Sequence, residues 1–153
     1  MCVAGLTAMR ARTLDRTRFV HYRSRADEFF NGMKAEENKE RYNASALLGI
    51  HAAIALTDTV SLAETGQRAA DEQHTEAARL LESICRKKGV DGDGHNRLRR
   101  ILSRKNDVAY GEHFTAADST ELKGIRLNVE RFFLWAKHHF AYLGGNPPEG
   151  GLE

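Results

Sequence analysis

The run Asn43-Ala44-Ser45-Ala46-Leu47-Leu48-Gly49-Ile50-His51-Ala52-Ala53-Ile54-Ala55-Leu56-Thr57-Asp58-Thr59-Val60 decides the fold. Strict apolar–polar alternation, the mark of a half-buried strand, is absent from it. Leu47, Leu48, Ile50, Ala52, Ile54, Ala55, Leu56 and Val60 fall instead on nearly every side of a helix. A helix that is apolar all round is one that neighbours enclose, so this segment is expected at the centre of a bundle. Asn43 is a good N-cap and Gly66 a good stop, which predicts a helix over 43–65.

The flanking sequence supplies the neighbours. Toward the N-terminus, Phe19, Tyr22, Ala26, Phe29, Phe30 and Met33 form one stripe of a helix over 14–37. Toward the C-terminus, Ala77, Ala78, Leu81 and Ile84 mark a third helix over 71–87, and the glycine-rich segment 89–94 reads as a plain connector. Leu98, Ile101, Leu102, Val108 and Ala109 define a fourth helix over 95–110, which Gly111 ends. A fifth opens at Thr115-Ala116-Ala117-Asp118, close to a capping box, and turns Leu122, Ile125, Val129, Phe132, Phe133, Ala136 and Phe140 inward before Gly144. Both prolines lie beyond residue 146, so none interrupts these helices. Short connections favour antiparallel neighbours. The expected fold is therefore all-α, an antiparallel bundle of about five helices with no sheet.

Composition bounds the rest. A chain of 153 residues, 41% hydrophobic and 29% charged, suits one globular domain with a real core. The expected division is an N-terminal extension over 1–13, the helical domain over 14–143, and a breaker-rich disordered tail over 144–153, whose final Leu152-Glu153 reads as a vector remnant. Net charge is only +2, which gives no global pull toward nucleic acid or membrane. No apolar run is read as a membrane span, the N-terminus lacks an apolar leader, and Cys2 and Cys85 form no paired or zinc-type motif. A cytoplasmic protein without a cofactor is the expectation.

The informative positions are polar ones on apolar faces. His51 and Asp58 share a stripe with Leu47 and Ile54 on the second helix, His74 begins the third helix's stripe, and Lys105 sits amid that of the fourth. An unpaired buried ammonium is too costly to keep, so Lys105 is expected to pair with Asp58. The four residues form either a buried polar network that fixes helix register or part of a functional site. Beside the fourth helix's apolar stripe, Arg99, Ser103, Asn106 and Tyr110 follow one another along an edge. A guanidinium, a hydroxyl, an amide and a phenol could grip a phosphate and a base there, or simply form a hydrated edge.

At these residues the chain resembles the HEPN superfamily, helical bundles common in bacterial toxin–antitoxin and defence systems. The run 43–58, His74-Thr75-Glu76-Ala77 and Arg104-Lys105-Asn106-Asp107-Val108-Ala109-Tyr110-Gly111 carry the resemblance. It implies an up-and-down four-helix core, a homodimer, and often a nucleotidyltransferase partner. The superfamily's metal-independent ribonuclease motif is an Arg, a polar residue and, a few residues on, a His. Here Arg104 or Lys105 would stand for the Arg and Tyr110 occupies the place of the His, while His113 lies past Gly111. Tyr, with an unperturbed pKa near ~10, is a poor general base at neutral pH, where His is well poised. The resemblance therefore implies a non-catalytic domain binding a nucleotide, RNA or a protein partner. A ribonuclease using Arg104 and Tyr110 and a purely structural helical interaction module are the alternatives. The aromatics Phe132, Phe133, Trp135, Phe140 and Tyr142 exceed one stripe and point to the same dimer.

Overall fold

The computed structural model describes residues 11–13, 15–70, 75–110 and 119–144. The helical region opens at Asp15, whose Oδ1 accepts from the Thr17 N–H at 2.9 Å and caps a 3-10 turn over Arg16–Arg18. That turn runs into helix α1 (Phe19–Asn38), so the regular helix begins later than its apolar pattern alone implied. The chain then reverses through Lys39, Glu40 and Arg41. The N–H groups of Lys39 and Arg41 both donate to the Glu36 carbonyl, at 3.1 and 2.9 Å, and Glu40 takes the left-handed conformation with φ 58°.

Helix α2 (Tyr42–Thr65) follows. Its N-cap position is Arg41, which makes no side-chain capping bond, and Asn43 lies inside the first turn. The expected Asn cap is therefore not used, because the preceding backbone turn already sets the entry. Gly66 ends the helix at φ 71°, its N–H donating to the Leu62 carbonyl at 2.9 Å. All other helices pack against α2, and Ile50, Ala52, Ala53 and Leu62 are wholly buried. Although no membrane span was read from the sequence, α2 is long and apolar enough to cross a membrane by length and composition. Yet 78% of its apolar window is buried inside the bundle, so neighbouring helices rather than lipid account for its apolarity. Of the buried hydroxyls along it, Ser45 Oγ donates across to the Met33 carbonyl of α1 at 2.7 Å and Thr57 Oγ1 donates within the helix to that of Ala53 at 2.8 Å, whereas Ser61 Oγ has no hydrogen-bond partner.

Helix α3 (Thr75–Lys88) leads through a short connector to α4 (Asp93–Ser103) and α5 (Lys105–Tyr110). The single helix expected over 95–110 is thus divided. At Arg104 the N–H donates to Ile101, a tightened 3-10-type closure at 3.1 Å that ends α4 and lets α5 set off on its own. Helix α6 (Ser119–His139) closes the bundle, and Ala141–Leu143 form a last 3-10 turn stopped by Gly144 at φ 85°. The expected capping box over 115–118 and the expected start of α3 over 71–74 lie outside the described residues.

Two further features depart from expectation. A three-residue strand β1 (Ala11–Thr13) pairs antiparallel with β2 (Gln67–Ala69), with Arg12 opposite Arg68. These segments are too short for alternation to register, and β1 falls in the stretch assigned to an extension. The architecture around this ribbon is an all-α helical bundle. The second departure concerns the C-terminal aromatics. Phe132, Phe133, Trp135 and Phe140 are buried within the one chain, and the half-buried Tyr142 donates its hydroxyl to Glu64 Oε2 at 2.9 Å. They therefore leave no surplus apolar face. Trp135 fits because α4 offers Gly94 beneath it: a Cβ there would stand 2.3 Å from the indole.

Candidate functional site

Helices α3, α4 and α5 enclose a cleft of about 680 Å³. Thr75, Ala78 and Arg79 line it from α3, Arg99, Leu102 and Ser103 from α4, and Lys105 and Asn106 from α5. Three of the four residues of the expected edge, Arg99, Ser103 and Asn106, meet here. Tyr110 does not: it is 86% exposed at the end of α5 and lines no part of the cleft. The expected edge ran along one helix; the structure divides it, with Arg99 and Ser103 on α4 and Asn106 and Tyr110 on α5.

Each cation in the cleft has a defined neighbour. Arg79 Nη1 lies 3.1 Å from Glu76 Oε1. Glu76 is itself buried, and its Oε2 has no hydrogen-bond partner. Arg99 Nη1 lies 2.8 Å from His95 Nδ1 and 3.6 Å from Glu82 Oε1. Ser103 Oγ donates back to the Arg100 carbonyl at 2.6 Å. A guanidinium carries five N–H donors, so one ion pair leaves Arg79 and Arg99, both substantially exposed, with donors to offer. Lys105 is half-buried, and its charge is felt at His51.

Arg79 was not singled out in the sequence, though a signal existed. Thr75, Arg79, Glu82 and Arg86 recur at helical spacing along one edge of α3, the counterpart of the Arg99 edge on α4. Arg104 stands apart, between α4 and α5. It lines a second, shallower cleft of about 470 Å³ with Arg100, Glu121 and Asn128. Its guanidinium is shared between Glu121 and Asp107, the latter at 3.7 Å.

The expected polar network is arranged differently from its sequence reading. Asp58 is buried at 6% exposure, but its ion-pair partner is Arg68 of β2, with Nη1 to Oδ2 3.5 Å. The Lys105 charge acts instead on His51. Seven residues separate His51 from Asp58 along α2, a rise of about 10 Å. Burial pushes the Asp58 carboxyl up to about 7, against the opposing pull of Arg68 and Arg25. Both guanidinium groups lie over the Tyr22 ring, at 5.5 and 5.3 Å. His51 is half-buried and edge-on to Phe29, and burial followed by the Lys105 charge holds its pKa below the ordinary value. His74 lies outside the described residues. Neither β2 nor its Arg68 gave a periodic signal that could have revealed this partner.

The chain matches no model of a known protein family and no curated protein.

Proposed function

We propose that the α3–α4–α5 cleft binds a phosphate-bearing ligand, a nucleotide or RNA, in a non-catalytic domain of HEPN type. One observation carries this reading: Arg79, Arg99 and Lys105 come from three successive helices to one cleft, with the Ser103 hydroxyl and Asn106 amide between them. Cations and neutral donors converging from separate elements suit a phosphate, which takes charge and several hydrogen bonds at once. The same reading places the protein in the bacterial cytoplasm, as a homodimer with a nucleotidyltransferase partner in a toxin–antitoxin or defence system. The aromatics of α6 no longer support the dimer, since one chain buries them.

The ribonuclease alternative is less well supported. It needs a base for the 2′-hydroxyl and an available cation for the phosphate. Arg104 is already shared between two carboxylates, and Tyr110 stands away from the cleft. The test is a pair of assays. Titration with single-stranded RNA and with mononucleotides should show binding that Arg79→Ala and Arg99→Ala each weaken about tenfold, the loss of one charge-assisted contact. Incubation with RNA in chelator should leave it intact. Robust chelator-resistant cleavage abolished by Tyr110→Phe would transfer the argument to the ribonuclease. Absence of binding to any phosphate ligand would leave a structural interaction module.

A further inference from the structure

We propose that His95 and Glu82 form a proton-operated latch on Arg99, holding it when His95 is neutral and releasing it toward the cleft when His95 is charged. The geometry is a triangle. Arg99 Nη1 is 2.8 Å from His95 Nδ1, Arg99 Nη1 is 3.6 Å from Glu82 Oε1, and His95 Nδ1 is 3.7 Å from that same oxygen. A guanidinium only donates, so His95 Nδ1 must accept and its ring must carry the proton on Nε2. That tautomer is the latched state.

A proton arriving at Nδ1 changes every side of the triangle. Nδ1 becomes a donor and can no longer accept from Arg99. The new N–H faces Glu82 Oε1, and the imidazolium repels the guanidinium beside it. Arg99 loses one acceptor outright and competes for the other. It already lines the cleft, so the open direction for its side chain is toward the ligand position.

The surroundings set when this happens. Glu82 and Arg86 face His95 from α3, Asp91 from the connector and Arg99 from its own helix. On the α6 side, His139 Nε2 lies 3.3 Å from Asp91 Oδ2. Glu82 Oε2 is also 3.8 Å from Arg86 Nη2, one turn further along α3. Burial opposes charging most, Arg99 and Arg86 add to it, and Glu82 and Asp91 favour it; the balance holds the His95 pKa below the ordinary value. The ring is thus neutral at neutral pH and takes its proton only at lower pH than an ordinary histidine.

The consequence for binding rests on the cleft being the phosphate site; the latch itself does not. Two measurements separate them. Nitrogen NMR of the full chain, with the His95 signals assigned by their loss in His95→Gln, should show the Nε2–H tautomer at neutral pH. Arg99→Ala should raise the ring's titration midpoint and Glu82→Gln should lower it. The opposite tautomer, or a midpoint indifferent to both substitutions, overturns the latch. The second measurement is binding of a short fluorescent oligothymidylate, whose phosphodiesters keep their charge from about pH 5 to 8. Affinity should rise about fivefold as pH falls through the His95 midpoint, the effect of one added close charge. His95→Gln should flatten that inflection, and the difference cancels the other histidines. An unchanged profile in His95→Gln overturns the gating. Absence of binding at any pH defeats the cleft reading and the gating with it, and the ring titration then decides the latch alone.

Discussion

Replacing Asp58 by Asn should make the protein's stability respond differently to pH, and the size of the change follows from the burial. In the folded chain the carboxyl is 6% exposed with a pKa pushed up to about 7, against 3.8 for the group in water. The folded state therefore holds its proton more tightly than the unfolded state does. Below the unfolded value both states are protonated and the group contributes no pH dependence. As pH rises from there to the folded value, the unfolded chain sheds a proton that the native chain retains, and stability falls by roughly 1.4 kcal/mol per unit. The full displacement is worth about 4 kcal/mol, of which about 3 kcal/mol falls between pH 5 and 8. Asn has no such proton. Urea unfolding of the two proteins side by side at pH 5 and at pH 8 should show Asp58→Asn gaining about 3 kcal/mol relative to the parent across that interval. His51 and His95, both with lowered pKa values, push stability the other way as pH rises, but they are common to both proteins and cancel. Loss of the Arg68 counter-charge shifts the Asn curve by an offset, so the slope is the quantity to judge. Parallel curves, within about 0.5 kcal/mol, would refute the reasoning and with it the claim that burial dominates at Asp58.

Three further outcomes are expected. Gly94→Ala should destabilise by about 1–3 kcal/mol in urea, despite alanine's better helix propensity, because its Cβ would stand 2.3 Å from a Trp135 ring that is itself buried; a neutral or stabilising alanine would show that the indole can move. Glu40→Gly should hold or slightly raise the melting temperature while Glu40→Val loses about 1–2 kcal/mol, since only a residue without β-branching tolerates φ 58°. The Cys85 thiol is buried and pushed up to about 11, so in a Cys2→Ser background, mass spectrometry should find it resistant to iodoacetamide until the fold opens; rapid labelling of native protein would contradict its placement.

The sequence alone determined the class of the fold and the identity of its central helix. Leu47 to Val60 is apolar on nearly every side, and an element with so little polar face can be stable in water only when others surround it. The stop at Gly66 was equally legible, because a left-handed residue at a helix end needs no distant partner to be favourable. The Arg99, Ser103 and Asn106 edge could be read for the same reason: helical spacing is a local property. What the sequence could not determine is which elements meet. The Asp58 partner looked like Lys105, since both lay on apolar stripes, but the ion pair that forms is with Arg68, while the Lys105 charge acts on His51. Arg68 took its place from a strand of three residues, which is too short to carry a period. The α6 aromatics looked like surplus because a stripe count takes no account of a Gly94 that lets an indole sink into the facing helix. Periodicity reports how one segment divides its faces between water and protein; pairing across segments depends on crossing positions, breaks and close approaches, which exist only once the helices are packed.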